Sequence, residues 1–337
     1  MAVGARNRAF DLGLLRARTA GVPVISVGNM TAGGTGKTPL VEFIVQHAIG
    51  RGKRVAVISR GYGRVTHGAI VVSDGRRVLV DAVQGGDEPV QIARKFPEAF
   101  VVVGERRVEA AHISVERFRP DVIILDDGFQ HRYLSRSVDI VVIDSTRDLR
   151  VERMIPVGVR REAHSGLKRA HVIAFSKFDG SASISDLKDK LYAWFTGPVT
   201  AYRYKIKSVH RLVDNSEVPL SDARKEPAMA FSGIGHHIDF VNQLRNSGFT
   251  VQEHIEFPDH HWYSVPDVER IVKQMKQGSA AICVTTEKDA MRLSAHKEIL
   301  DTLRPYPVFY PRIAVEIVHG KAELLSLIDK CLEGEGS

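Results

Sequence analysis

The sequence predicts an α/β fold: a doubly wound, mostly parallel sheet joined to a second, smaller α/β domain. Three observations predict it. Short apolar runs alternate with stretches whose apolar residues recur every three or four positions, the signature of strands separated by helices and hence of parallel pairing. Several runs, VPVISVGN and DVIILDD among them, are rich in Val and Ile without alternating polar residues. Strands covered on both faces read this way. The pattern loosens after about residue 178, and a new strand–helix series starts at AMAFSGIG. The 337 residues suit two domains. The expected division is a basic amphipathic segment over 1–20, a first domain over 21–185 and a smaller α/β domain over 186–337.

In chain order, NRAFDLGLLRARTAG allows Phe10, Leu14 and Leu15 to share one helical face, with Arg6, Arg8, Arg16 and Arg18 around it. That pattern serves equally for a helix lying on anionic lipid or for one packed on the domain. VPVISVGN reads as a buried strand. Leu40, Phe43, Ile44, His47 and Ala48 mark the following helix over 38–50. KRVAVISR is the second strand, and AIVVSDGRRVLVD reads as a hairpin around Asp74-Gly75. AFVVVGE, DVIILDD, VDIVVID and HVIAFSK are further strands. VTAYRYKIKSVHRLV reads as a strand pair. The second series runs through AMAFSGIG, FTVQEHIEF, AAICVTTEKD and YPVFYPR, and the tail EGEGS reads as disordered.

Composition sets the outer bounds. The chain is 44% apolar and 26% charged, ordinary for a soluble globular protein. It has no apolar run near the roughly eighteen residues that span a bilayer and no apolar core of a signal peptide at its start. Cys283 and Cys331 are far apart and lack metal-spaced neighbours, so they read as free thiols of a reducing cytoplasm. Residues 1–64 hold ten Lys/Arg against two Asp/Glu, so the net charge of +7 is concentrated there. A basic end suits an anionic partner such as phosphate, nucleic acid or an acidic membrane surface. The chain carries no aromatic–basic nucleic-acid motif, and no nucleic-acid partner is expected.

The stretch VGNMTAGGTGKTPL is the clearest chemical signal. It follows a strand and opens a helix, the context of a phosphate-binding loop. Gly36, Lys37 and Thr38 fit the pattern, but its first glycine position holds Thr31. Backbone N–H groups of Gly33, Gly34, Gly36 and Lys37 could wrap phosphate oxygens at the helix N-terminus. Thr35 completes the loop. Lys37 would meet the β- and γ-phosphates, and the Thr38 hydroxyl would ligate Mg²⁺. The first domain is therefore P-loop NTPase-like, with ATP and Mg²⁺ as expected cofactors. A metal partner should follow a later buried strand, and DVIILDDGFQH supplies Asp126 and Asp127.

Other polar clusters also follow strands, on the ligand edge of a doubly wound sheet. ISRGYGR offers Arg60, Tyr62 and Arg64. QGGDEPVQIAR places Asp87 and Glu88 at a helix start, where capping alone would explain them. FPDHHWYS gathers Asp259, His260, His261 and Tyr263. Its histidines are either structural or face a nucleotide cleft.

Together these pieces resemble the tetraacyldisaccharide 4'-kinase family, the lipid A 4'-kinases. The matching motifs are VGNMTAGGTGKTP, SRGYGR, GGDEP, VVVGERRVEAA, DDGFQHRYLSRSVDIVVID, FSGIG, FPDHHWYS and VTTEKDAMRL, in family order across most of the chain. The resemblance makes Thr31 a family feature rather than a lost glycine. It implies transfer of phosphate from ATP to the 4'-hydroxyl of a lipid A disaccharide precursor, tetraacyldisaccharide 1-phosphate, giving lipid IVA. The implied place is the cytoplasmic face of the bacterial inner membrane, on its anionic surface. It assigns Asp126 and Asp127 to the metal site, and Asp87 with His260 to a carboxylate–imidazole pair acting on the sugar hydroxyl, assembled by domain closure. Arg60, Tyr62, Glu88, Gln130, His131 and Arg161 match further motif positions. Glu287, Lys288 and Asp289 either border the nucleotide or stabilise the second domain. Two departures stand out: the short segment before the first strand, and PVGVRRE, where Arg160 could substitute for Arg161. The alternative function is a membrane-associated P-loop ATPase switch, which would not need the Asp87/His260 pair.

Overall fold

The computed structural model describes residues 2–334. Its strands are β1 (Val24–Asn29), β2 (Val55–Ser59), β3 (Ile70–Asp74), β4 (Phe100–Val103), β5 (Val122–Asp126), β6 (Val138–Asp144), β7 (Val172–Ser176), β8 (Val199–Arg211), β9 (Glu217–Val218), β10 (Ala228–Ser232), β11 (Val251–Glu256), β12 (Ile282–Val284) and β13 (Val308–His319). They form one sheet in the order β11-β10-β12-β13-β8-β7-β6-β1-β5-β2-β4-β3, with β9 beside β8. Pairing is parallel except at β3–β4, β8–β9 and β8–β13. The mostly parallel α/β sheet that the apolar runs predict is present.

Burial explains those runs. Every residue of β1, β2, β5, β6, β7 and β10 is buried, because helices cover both faces. The helix Lys37–Gly50 turns Leu40, Val41, Ile44, Val45 and Ala48 into a core shared with Ile25 and Val27 of β1. From β1 the chain moves to β2 and β4 on one side, returns through β5, and then crosses to β6 and β7 on the other. The loop after β1 thus lies where the strand order reverses, the ligand crevice of such sheets.

Two local expectations are corrected. VTAYRYKIKSVHRLV does not hold a strand pair. It forms the single strand β8, whose Arg203, Lys205 and Lys207 alternate outward with period two, and whose long partner is β13. Because β8 also pairs with β7, and β13 with β12, this antiparallel pair joins the two strand series. The N-terminal helix Ala2–Asp11 ends before Leu14 and Leu15, with Gly13 in left-handed backbone (φ 74°). The shared face of Phe10, Leu14 and Leu15 therefore does not form. Phe10 instead packs edge-on to Tyr133 with ring centroids 5.0 Å apart, under the Arg132 guanidinium. In the tail, Glu333 still terminates the helix Lys321–Leu332, and residues 335–337 lie outside the described residues.

The hairpin around Asp74-Gly75 is present, with Leu79 N–H donating to Val72 O at 2.8 Å. Both cysteines are buried and free. No helix among the described residues is long and apolar enough to cross a membrane.

Candidate active site

The phosphate-binding loop is built from its own backbone and from what underlies it. Asn29, at the end of β1, donates through Nδ2 to Thr31 O (2.6 Å) and Thr35 Oγ1 (2.7 Å). Ser176 Oγ donates to Thr35 O (2.7 Å), and Tyr202 Oη donates to Gly36 O (3.0 Å). Thr31 keeps ordinary backbone and forms a β-bridge with Arg160, while Ala32 N–H donates to Val159 O at 2.7 Å. A position held in extended pairing does not need glycine, which is the physical reason a threonine stands there. Gly36 does need to be glycine. Its φ is 81°, and a Cβ there would lie 1.6 Å from Tyr204 Oη. The helix that follows has no side-chain cap on its first N–H groups, so donors and the helix dipole remain available to an anion.

Around this loop the charges are ordered. Lys37 Nζ lies 3.4 Å from Asp127 Oδ1. Arg161 Nη1 donates to both Asp127 oxygens at 2.8 and 2.9 Å. Burial alone would raise the Asp127 carboxyl, but Lys37 and Arg161 hold it below its usual range. Asp126 behaves oppositely. It is fully buried, and burial, Glu88 and Asp127 push it up to about 7 against the pull of Lys37. Its Oδ2 accepts from Ser59 Oγ at 3.2 Å, whereas Oδ1 is buried with no partner among the described residues. Arg161, not Arg160, reaches this site: Arg160 pairs with the His164 ring. Gln130 bridges Asn29 O (2.8 Å) and Glu162 (2.9 Å). His131 lies alongside, held neutral by burial and by Arg107, Arg136 and Arg6, which lower it to about 4.

The second cluster meets across the sheet. Asp87 opens the helix Asp87–Lys95, whose N-cap is Gly86 rather than an acidic side chain. Asp87 is therefore not the N-cap, although its Oδ1 accepts from the first-turn Glu88 N–H. Its Oδ2 lies 3.4 Å from His260 Nδ1, and His260 follows β11 in left-handed backbone (φ 58°). Asp87 raises the imidazole above its ordinary value, more than burial lowers it. The Tyr62 ring stands 5.0 Å from that imidazole. His261 faces elsewhere, bonding Asp267 at 3.1 Å and stacking on Phe257. The two neighbouring histidines thus face different carboxylates, Asp87 and Asp267. Glu88 pairs with Lys288 and is close enough to Asp126 to help raise it, so the two clusters adjoin through these carboxylates. Arg60 is exposed at this edge near Arg107.

The Glu287-Lys288-Asp289 run has a defined place. Buried Glu287 lies 3.5 Å from Lys95 and 3.4 Å from Arg312. Lys288 holds Glu88, and Asp289 accepts from Gly233 N–H (3.1 Å). Sequence reading missed two residues, Arg292 and Arg107. Arg292 donates to Asp87 Oδ2 through Nε (2.9 Å) and Nη2 (2.6 Å). It lies within the matching motif VTTEKDAMRL, four residues after Lys288 on a short helix, a spacing that places both cations on one face. Arg107, inside the matching motif VVVGERRVEAA, is buried near Asp126 and Asp127.

A site of this kind fits a nucleoside triphosphate with magnesium. Among the described residues no group of three or more His, Cys, Asp or Glu side chains is arranged to hold a metal. Magnesium bound with phosphates needs only one or two carboxylates and a hydroxyl. Asp126 Oδ1, without a partner among the described residues, and the Thr38 hydroxyl at the loop would be such donors.

Comparison with known proteins places the chain in one family. The chain matches the family described as "Tetraacyldisaccharide-1-P 4'-kinase" over residues 1–333. It is 38% identical to a tetraacyldisaccharide 4'-kinase of Chlorobium luteolum, over 96% of this chain and 92% of that one. It is 35% identical to the protein of that name from Anaeromyxobacter sp. (strain K), over 98% and 87% respectively. Among solved structures, the "apo" form of LpxK from Aquifex aeolicus in complex with ATP superposes with a TM-score of 0.77 at 31% identity, covering 98% of this chain and 95% of that one.

Proposed function

We propose the following reaction from one premise: the chain belongs to the tetraacyldisaccharide-1-P 4'-kinase family. It transfers the γ-phosphoryl group of ATP to the 4'-hydroxyl of a tetraacylated glucosamine disaccharide 1-phosphate. The sugar oxygen bonds to phosphorus, the bond to the β-phosphate oxygen breaks, and the hydroxyl proton leaves. The products are lipid IVA and ADP. The observation that carries the reading is the meeting of two clusters, a phosphate loop with Lys37 and an aspartate–histidine pair contributed from both ends of the sheet.

Phosphoryl transfer needs positioning and charge neutralisation more than covalent chemistry. Gly33, Gly34, Thr35, Gly36 and Lys37 would bind the triphosphate. Thr38, Asp126 and Asp127 would hold Mg²⁺, whose charge, when bound, offsets that of the phosphates. Arg161 and Lys37 keep Asp127 ionised for that role. His260 takes the proton from the 4'-hydroxyl, and Asp87 orients the imidazole and stabilises its charged form. A sugar hydroxyl is a poor nucleophile, so a base within reach matters more here than in an ATPase switch. The two strand series joined by β8 and β13 act as lobes, divided near residue 185, that close on the nucleotide.

Membrane contact completes the proposal. The protein binds peripherally to the cytoplasmic face of the inner membrane, where its lipid substrate resides. Exposed Leu12 and Leu14 beside Arg16 and Arg18, and exposed Val151 and Val157 beside Arg150 and Arg153, supply apolar and basic groups for that surface. The test is transfer of labelled γ-phosphate from ATP to tetraacyldisaccharide 1-phosphate in mixed micelles. Labelled lipid with the intact chain, and none with Lys37→Ala, is the expected result. ATP hydrolysis without lipid labelling would overturn it in favour of the switch.

A further inference from the structure

We infer that Arg292 is the positioning residue that sets the Asp87–His260 pair, gripping Asp87 so that one carboxylate oxygen serves both the guanidinium and the imidazole. The inference rests on the proposed role of that pair as the proton acceptor.

The geometry is specific. Arg292 is among the largest fully buried side chains of the protein, at 1% exposure. Its planar fork makes contacts in two directions. Toward the first strand series, Nε and Nη2 both reach Asp87 Oδ2, at 2.9 and 2.6 Å. Toward the second, Nη1 donates to Gly233 O (2.8 Å) and to Asp289 Oδ1 (3.0 Å). Asp289 is itself held by Gly233 N–H and by Thr286 Oγ1. The other Asp87 oxygen, Oδ1, accepts from Glu88 N–H at 2.9 Å. Both oxygens of the carboxylate are therefore engaged, and among these partners His260 Nδ1 belongs to the one imidazole.

A merely structural ion pair would not need this arrangement. A buried guanidinium is costly unless paired, and Asp289 with Gly233 O would already pair it. The additional double contact to Asp87, 205 residues away in sequence, places a cation directly behind the carboxylate that faces the imidazole. Two consequences follow. Asp87 stays ionised despite its burial, held so by His260 and Lys288 with Arg292 adding to them. The imidazole feels an anion already partly compensated, so its affinity for a proton is raised less than by a lone buried aspartate. A general base must release its proton again, and over-stabilising the imidazolium would slow the cycle. The groups that face His260 are Asp87, Asp259 at 4.0 Å, Arg292 and the Tyr62 ring. Of these, Arg292 is the cation.

The experiment is histidine-detected NMR titration of the full chain, with the His260 signal assigned by its loss in His260→Gln, alongside kcat and KM from the micelle assay. In Arg292→Gln the His260 titration is expected to move to higher pH, the acid limb of kcat to move with it, and KM for ATP to stay constant. Arg292→Lys keeps the charge but lacks the fork. It is expected to leave the titration near that of the intact chain while kcat falls by roughly 10²-fold, the lower end of general acid–base help. Because Arg292→Gln removes buried contacts and could fail to fold, Arg292→Lys is the second arm: unchanged kcat in that variant would overturn the grip. An unmoved His260 titration in folded Arg292→Gln would overturn the electrostatic role. Failure of the underlying reading looks different. There His260→Gln keeps full kcat while Arg292→Gln still moves the His260 titration, which supports the positioning and removes the catalytic role of the pair.

Discussion

The phosphate loop and the Asp87 junction are two charged sites held by opposite means. The loop is made of backbone. Its conformation comes from glycines, from Asn29 beneath it and from hydroxyls of Ser176 and Tyr202 that donate to its carbonyls. Its charge partners, Asp127 and Arg161, remain partly exposed, at 29% and 28% of their side chains. The junction is made of side chains. Asp87, Arg292 and Asp289 are almost wholly buried and satisfy one another. The difference teaches where each region is vulnerable. A backbone-built site fails when a side chain intrudes. A site built from buried ions fails when one partner is removed, because the remaining charge is left without compensation.

The largest expected effect is on the loop. Lys37→Ala should abolish turnover by removing the cation from the β- and γ-phosphates, and it should also release Asp127 to Arg161 alone. Near-normal lipid labelling in that variant would break the assignment of the loop. The junction comes next. His260→Ala or Asp87→Ala should lower kcat by roughly 10²–10⁴-fold, the scale of general acid–base help, with KM for ATP little changed. Full kcat in both would remove the pair from the mechanism. Direction of the pH dependence sharpens the point. Asp87 raises the His260 imidazole, so losing its charge in Asp87→Asn lets the proton leave at lower pH. The acid limb of the residual kcat should move down, opposite to the shift expected for Arg292→Gln. Movement of both variants in the same direction would contradict the placement of the two charges.

A smaller effect separates the two regions by stability. Gly36→Ala puts a methyl into Tyr204 at a left-handed position. It should cost about 1–3 kcal/mol, the range for strained backbone, read by denaturant unfolding, and ATP affinity should fall with it. Adding Tyr204→Phe should recover part of the loss, and no recovery would mean that backbone strain alone is responsible. The smallest effect on chemistry is expected from deleting residues 1–18. Vesicle flotation should weaken more than ATP binding. Equal flotation with and without the segment would assign the N-terminal helix to packing, where Arg6 already bonds Gln130 O (2.8 Å) and Asn7 bonds Glu162 (2.9 Å).

Much of the loop was readable from fourteen consecutive residues, because a strand, a glycine-rich turn and a helix are local structures. Thr31 looked like a defect in that stretch. Its explanation, a bridge to Arg160, lies 129 positions away. The junction was far less readable. Asp87, His260 and Arg292 come from three distant segments, and no periodicity links them. The aspartate and the histidine emerged through resemblance to a family, and Arg292 came only as an unassigned letter of the motif VTTEKDAMRL. The N-terminal helix shows a further limit: its apolar residues fit a helical face, but the chain leaves the helix at Asp11.

By itself the sequence determined the α/β class, the buried parallel strands, the phosphate loop and the acidic strand end that faces it. Each depends on a pattern within a few turns of chain, where covalent geometry and the burial of apolar side chains leave few alternatives. The tertiary structure alone decided that β8 and β13 fuse two strand series into one sheet, that His261 turns to Asp267, and that Arg292 stands behind the Asp87 carboxylate. The first and last of these are contacts between segments far apart in sequence. They exist because the ordering of the sheet brings buried charges close enough to require one another, a condition that only the folded chain can impose.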